Sequence, residues 1–245
     1  MTQPYYQDEA VTIYHGDCRE IVPTLGRFDA VVTDPPYGVD FDYAGYDDTH
    51  DAWAALMEDI IPKLKKAAPF VVMPAGDRMA LRQMYIDHSP DWIIAWFKGS
   101  PGTRSPIGFN SWEPHLTWGK PYKAMHDAFQ TRCGFELKGH PCPKPLAWAM
   151  WLVQRAAPHG GTVLDPFAGS GTTGRAAKDL GRKAVLIELE ERYCEIAANR
   201  MAQGVLDFGG IEPSTERLTG RDQLTAGGTE HALPQVDNES AETGL

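Results

Sequence analysis

Long apolar runs are missing from this chain of 245 residues: stretches such as Phe70 to Met73 or Trp148 to Val153 are far too short to cross a bilayer. Met1 to Ala10 carries Asp8 and Glu9 and lacks the apolar stretch of a secretory leader, so a cytoplasmic protein with no membrane partner is expected. Cysteine is scarce. Cys18, Cys133, Cys142 and Cys194 form no Cys-x-x-Cys pair, which argues against a disulfide-stapled scaffold and for reduced thiols. His126, Cys133, His140 and Cys142 are spaced too widely for a common zinc site, and Asp40, Asp42, Asp47 and Asp48 lack the spacing of a calcium loop, so no metal is expected.

Basic residues are also few, with 23 Lys and Arg against 33 Asp and Glu and a net charge of −10, which as a whole argues against a polyanionic partner. The deficit is uneven, however. Residues 98–183 hold 12 bases and 5 acids, whereas residues 1–97 hold 7 bases and 16 acids. A basic middle block in an acidic chain suits a local polyanion-binding face, although a charge run also serves as a plain solvated surface.

With 42% hydrophobic and 23% charged residues the chain has the composition of a globular protein. Short β-branched runs alternate with helical spacing. Strands are expected at Val11 to His15, Phe28 to Thr33, Phe70 to Met73, Gly161 to Asp165 and Lys183 to Glu188, with Trp92 to Lys98 and His115 to Trp118 as two more, for which an antiparallel run is open. Ala52 to Lys66, with Trp53, Leu56, Ile60 and Leu64 on one face, reads as a helix, as do Leu146 to Ala157 and Thr172 to Leu180. The alternation predicts an α/β fold, doubly wound around a mostly parallel sheet. Gly99 to Ser111, rich in Gly, Pro and Ser, reads as a loop. The composition divides the chain into a globular part, residues 1–204, and an acidic tail, residues 205–245, in which no apolar periodicity survives and disorder is expected.

Two motifs carry chemistry. Thr33-Asp34-Pro35-Pro36-Tyr37-Gly38 follows a strand; two prolines stop it and hold the Asp34 carboxylate beside the Pro35 carbonyl, a pair of acceptors suited to an amino group. Tyr37 adds a flat face for stacking a base. A Pro-Pro turn capped by Asp is the purely structural alternative. Asp165-Pro166-Phe167-Ala168-Gly169-Ser170-Gly171-Thr172-Thr173 lies between a strand and a helix, where glycines let a ligand approach backbone N–H groups. No Gly-Lys-Ser/Thr follows, so phosphate binding of the Walker kind is not supported. The next strand ends in Glu188, placed to accept ribose hydroxyls.

Together these residues resemble the S-adenosylmethionine-dependent, amino-methylating DNA methyltransferases. Asp34-Pro35-Pro36-Tyr37 is similar to the catalytic motif and Asp165 to Gly171 to the cofactor motif, in the permuted order of the β group. His15-Gly16-Asp17-Cys18, His140-Pro141-x-x-Lys144-Pro145, and Glu188 with Tyr193, Ala197 and Arg200 resemble further family segments. The resemblance, which covers about residues 11–202, implies a class I, Rossmann-like, circularly permuted methyltransferase fold with S-adenosylmethionine as cofactor. It implies a catalytic set of Asp34, Pro35, Pro36 and Tyr37. It also implies a cofactor set of Asp17, Asp165, Phe167, Gly169, Gly171, Thr172, Glu188 and Lys144. Asp17 can equally be a helix cap, Thr172 a helix start and Lys144 a surface cation.

By the same resemblance the reaction is site-specific methylation of adenine N6 in double-stranded DNA, with the base swung out of the stack. Cytosine-N4 or RNA methylation, a non-catalytic binding protein keeping the fold, and a small-molecule methyltransferase are the competing readings. Residues 119–139 leave only a reduced target-recognition segment, so brief sequence readout or help from a second subunit is expected. A restriction–modification setting would add a partner nuclease. Lys98, Arg104, Lys120, Lys123, Arg132 and Lys138, interleaved with Phe109, Trp112 and Tyr122, are the expected nucleic-acid contacts. The acidic loop Gly38 to His50 reads as a mobile lid beside the base pocket.

Overall fold

Period-2 apolar runs buried on both faces make the centre of the molecule. In the computed structural model, which describes residues 3–43, 45–99, 104–105, 108–131 and 144–203, the chain opens with β1 (Tyr6–Gln7), β2 (Val11–His15) and the short helix α1 (Cys18–Ile21). Then come β3 (Ala30–Val32), a hairpin of β4 (Asp42–Tyr43) and β5 (Tyr46–Asp47), α2 (His50–Ala67), β6 (Phe70–Pro74), α3 (Arg78–His88) and β7 (Trp92–Phe97). A second small hairpin, β8 (Arg104–Ser105) and β9 (Gly108–Phe109), precedes β10 (Trp112–Gly119) and β11 (Ala128–Gln130). The chain continues with α4 (Leu146–Ala156), β12 (Thr162–Asp165), α5 (Thr172–Asp179), β13 (Lys183–Glu188) and α6 (Glu191–Ala202). All of these lie in one compact unit, Met1–Leu206. Among the described residues no helix is long and apolar enough to cross a membrane.

Nine strands form one sheet in the order β1-β2-β13-β12-β3-β6-β10-β7-β11. The five from β2 to β6 run parallel, and β10 pairs antiparallel with both β6 and β7. The fold is thus the doubly wound, mostly parallel α/β class expected, including the antiparallel pairing of the later strands. Alternation along the strands sends side chains into two cores. Ala30, Val32, Val72 and Val163 meet Trp148, Leu152, Ala176 and Ala197 from α4, α5 and α6 on one face. Val31, Val71 and Leu164 meet Trp53, Leu56, Ile60, Leu64 and Met84 from α2 and α3 on the other. All five residues of β6 are buried, as a strand covered on both faces requires.

The expected elements survive with shifts of one to three residues at their ends. Helix α3 was not expected: only Ala80 and Met84 of its eleven residues are buried, so it shows almost no apolar stripe. The sheet order brings the ends of β3 and β12 side by side at the centre, with β13 and then β2 beyond them.

Candidate active site

The motif after β3 and the motif after β12 meet through one buried hydrogen bond: Thr33 Oγ1 donates to Asp165 Oδ1 at 2.6 Å. The same Asp165 oxygen accepts the Phe167 N–H at 3.1 Å. Asp165 is almost wholly buried, and burial pushes its carboxyl up to about 6 against the pull of the Thr33 and Thr173 hydroxyls and the Phe167 N–H. It therefore shapes the turn from beneath.

At the end of β3, Asp34 stays partly exposed. Tyr37 donates its hydroxyl proton to Asp34 Oδ1 at 2.6 Å, and the Lys144 ammonium lies 3.4 Å from the same oxygen. Both contacts fall on Oδ1, so Oδ2 is the oxygen left to receive an external N–H. Burial raises the Asp34 carboxyl, Lys144 draws it down, and Glu113 raises it again.

Sequence reasoning missed Glu113. This side chain comes from β10, opposite Trp96 of β7, and is only 8% exposed. Its Oε1 accepts from Lys144 at 2.7 Å and its Oε2 pairs with Lys98 at 2.7 Å. Burial alone would push Glu113 up, but Lys144 and Lys98 hold it down at about 2. Its one legible sign was an isolated acid in the basic block, followed two residues later by His115 on the same face of a strand. His115 is buried between Trp148, whose indole N–H donates to Nε2 at 2.7 Å, and the Glu113 carbonyl, 3.2 Å from Nδ1. Indole nitrogen can only donate, so Nε2 must accept and the ring is neutral. Burial pushes its pKa down to about 4.

Two expected site residues make contacts of a different kind here. Lys144, expected at the cofactor, is packed against Tyr37 and Glu113, because the turn into α4 aims it at the β3 end. Lys98, expected on phosphate, is tied to Glu113 and lies over the Trp96 ring, since the last residues of β7 run beside β10. Lys120 and Lys123 are exposed and open to a polyanion. The side chain of Arg104, together with Arg132, Lys138, His140, Pro141 and the tail, lies outside the described residues.

The cofactor-type side is built differently. Gly169 and Gly171 adopt positive φ, 49° and 78°, and Gly171 begins α5 where an added Cβ would stand 3.0 Å from the Ala197 Cβ. Glu188 Oε2 accepts the Gly169 N–H at 2.7 Å and Oε1 accepts the Glu190 N–H at 2.8 Å. The carboxylate keeps acceptor capacity beyond these bonds for a further donor. Burial raises the Glu188 carboxyl, opposed by those backbone N–H groups. The Thr172 hydroxyl accepts from Arg200 Nη1 at 3.0 Å and so braces α5 against α6.

Asp17 is brought to the same edge, since Gly16 N–H donates to the Glu188 carbonyl at 2.9 Å. There it caps α1 by accepting the Arg19 N–H at 2.8 Å and pairs with the Arg19 guanidinium, which holds its carboxyl below the usual range. The acidic loop, expected as a mobile lid, is fastened to its own backbone at one residue. Asp48 turns inward and accepts the N–H groups of Gly38, Val39 and Phe41, while Asp40, Asp42 and Asp47 stay exposed.

The DNA methylase family N6_N4_Mtase matches residues 103–199. Type II methyltransferase M.ScaI of Streptomyces caespitosus is 26% identical over 262 aligned residues, 81% of this chain and 84% of that protein. M.HinfI of Haemophilus influenzae is 25% identical over 78% of this chain and 68% of its own length. Among solved structures, the cytosine-N4-specific PvuII DNA methyltransferase superposes with a TM-score of 0.67 at 18% identity, covering 83% of this chain and 90% of that one. An M1.HpyAVI–SAM complex gives a TM-score of 0.59 at 24% identity, over 79% of this chain and 100% of the other. With the two motifs placed as above, the chain is similar to site-specific, S-adenosylmethionine-dependent DNA amino-methyltransferases in sequence and shares their fold. Adenine-N6 and cytosine-N4 chemistry both fall within that class.

Proposed function

We propose that the protein methylates the N6 amino group of adenine in double-stranded DNA. The observation that carries this reading is the Asp34-Pro35-Pro36-Tyr37 edge joined to the glycine turn through Thr33 and Asp165. Asp as the first motif residue favours adenine. Glu188 is the group for the ribose hydroxyls: it is a partly buried carboxylate held by backbone N–H groups with acceptor capacity to spare. Such a donor set fits a nucleoside cofactor. Phe167, Gly169 and Gly171 line the methionine side, and Asp17, which in this structure is paired with Arg19, serves the adenine amino group once it exchanges that partner. Asp165 and Thr172 act at one remove, through the turn and the start of α5.

S-adenosylmethionine, when bound, supplies a methyl group on a sulfonium. The residues do the rest by position. Asp34 Oδ2 and the Pro35 carbonyl accept the two amine hydrogens, which draws the nitrogen lone pair out of conjugation with the ring and aims it at the methyl. Tyr37, its hydroxyl fixed at Asp34, presents its ring as the wall on which the extruded base stacks. The amine would lose one proton on methylation, and the Asp34 carboxylate stands as its first acceptor. Of the basic residues expected at the nucleic acid, Lys120 and Lys123 are exposed and can meet phosphates.

The test is incubation with unmethylated duplex DNA and S-adenosylmethionine, then digestion and mass spectrometry of the nucleosides. N6-methyladenine is the expected product. N4-methylcytosine would correct the base and keep the mechanism, whereas label on RNA alone would overturn the DNA reading. A second subunit or a partner nuclease belongs to the same proposal and would be sought by sizing the DNA complex.

A further inference from the structure

Holding an amine takes one carboxylate and one carbonyl, yet a quartet of charges is gathered behind Tyr37. Lys98, Lys144, Glu113 and Asp34 come from β7, the turn before α4, β10 and the end of β3. Their charges cancel only when Asp34 is a carboxylate. We propose that Lys144, fastened by Glu113, is a positioning residue for the catalytic loop, fixing the Tyr37 hydroxyl and balancing the charge of Asp34, and is not a cofactor ligand. The proposal rests on Asp34 being the group that receives the amine.

The geometry carries it. The Lys144 ammonium donates to Glu113 Oε1 at 2.7 Å and to Tyr37 Oη at 2.6 Å, and its side chain is 12% exposed. The rings of Tyr37, Trp96 and Trp148 surround it with centroids at 5.2, 5.4 and 5.8 Å. An ammonium can only donate, so the Tyr37 oxygen must accept from it. The single Tyr37 proton then goes to Asp34 Oδ1 at 2.6 Å, the shorter of its two contacts; Glu113 Oε1 stands at 3.2 Å. Lys144 therefore decides which way the hydroxyl points, and that in turn decides which Asp34 oxygen stays open. Glu113 is kept in place by Lys98 on its other oxygen.

The groups that face Asp34 are Tyr37 on its own loop, Glu113 from β10, Lys144 from the turn before α4, Asp165 from β12 and Tyr43 from the β4–β5 hairpin. Lys98 and His115 act on it through Glu113. Lys144 is the cation in direct contact, and the carboxylates around Asp34 all oppose its ionisation.

Lys144→Met, Lys144→Arg and Glu113→Gln separate this from a cofactor contact. Three quantities are read: S-adenosylmethionine affinity by calorimetry, single-turnover methyl transfer against pH, and the Asp34 carboxyl titration by carbon-13 NMR. In Lys144→Met the affinity should hold within about threefold while transfer falls about a hundredfold, the scale of losing one pre-placed electrostatic group. The acid limb and the Asp34 titration should both move up by about one pH unit or more. Glu113→Gln removes a repelling carboxylate, so both should move down. Lys144→Arg should restore the acid limb without restoring the full rate, because a guanidinium cannot repeat the ammonium geometry.

A tenfold or greater loss of cofactor affinity in Lys144→Met overturns the proposal. So does an Asp34 titration that fails to move in opposite directions in the two charge-removing variants. If Lys144→Met does not fold, the near-isosteric Glu113→Gln carries the same test. A wild-type protein that methylates no base would remove the proposed function, and the Asp34 titration would still decide the role of Lys144.

Discussion

Two carboxylate sites sit a strand apart and solve burial in opposite ways. At the end of β3, Asp34 and Glu113 are held by lysines and a tyrosine hydroxyl, so charge is answered by charge. At the ends of β12 and β13, Asp165 and Glu188 are held by hydroxyls and backbone N–H groups, and burial leaves both carboxyls raised, as it does Asp34, whereas Glu113 is held low by its lysines. The first arrangement sets the Lys144 ammonium against the Asp34 carboxyl, which opposes the effect of burial there. The second leaves acceptor capacity on a backbone-built cradle, which suits hydroxyl and amino donors of a nucleoside. In the proposed reading one fold separates the group that receives the amine from the groups that hold the cofactor, and the Thr33–Asp165 hydrogen bond joins the two motifs.

The largest way to break that contrast is Asp34→Ala. Methyl transfer should fall by about a thousandfold or more while cofactor affinity is kept, since the lost group acts on the amine. Single-turnover rates and calorimetry check it, and equal loss of both in this variant would erase the division. Glu188→Ala is the mirror image. Its carboxylate would hold two hydroxyls, so affinity for S-adenosylmethionine should drop about a hundredfold, with the rate at saturation little changed.

Acid separates the two sites next. The buried neutral His115 has its pKa lowered from 6.5 to about 4, so the unfolded chain takes up that proton first and stability is lost as pH falls through this window. Asp165, raised from 3.8 to about 6, has the opposite sign: its contribution is full in acid and is lost as pH rises through 6. Each is worth on the order of 3 kcal/mol, so the pair largely offsets in the wild type between pH 6 and 4. Asp165→Asn should therefore lose melting temperature on acidification relative to the wild type, and His115→Gln should gain it. Parallel curves for all three proteins would refute the assignment.

Smaller effects sharpen the coupling. Thr33→Val removes the buried hydroxyl that joins the motifs and should cost about 1–3 kcal/mol in denaturant unfolding. Affinity and transfer should decline together, unlike either variant above. Lys120→Ala and Lys123→Ala, far from both sites in role, should each lower the salt dependence of DNA binding by about one unit of slope and leave cofactor affinity alone.

The fold and half of the site were legible in the sequence because their signals are local. Strand β13 was readable to its ends, as was the stripe Trp53, Leu56, Ile60 and Leu64 of α2, since burial repeats at a fixed spacing within each element. The two motifs were readable for the same reason: a proline pair or a glycine turn constrains its own backbone. The hairpin β4–β5 and helix α3 escaped because neither buries an apolar stripe.

What the sequence determined by itself is therefore the pair of local motifs: an Asp-Pro-Pro-Tyr edge and a glycine turn with its acidic partner, each written in a few adjacent residues. Only the tertiary structure decided how they work together. Thr33 and Asp165 are 132 residues apart, and Lys144 and Tyr37 are 107 apart. In the sequence Lys98 was expected on phosphate, Lys144 at the cofactor, and Glu113 carried no assignment. They became a buried charge network because sheet pairing sets β10 between β6 and β7, and hydrogen-bond register across strands has no counterpart in sequence spacing.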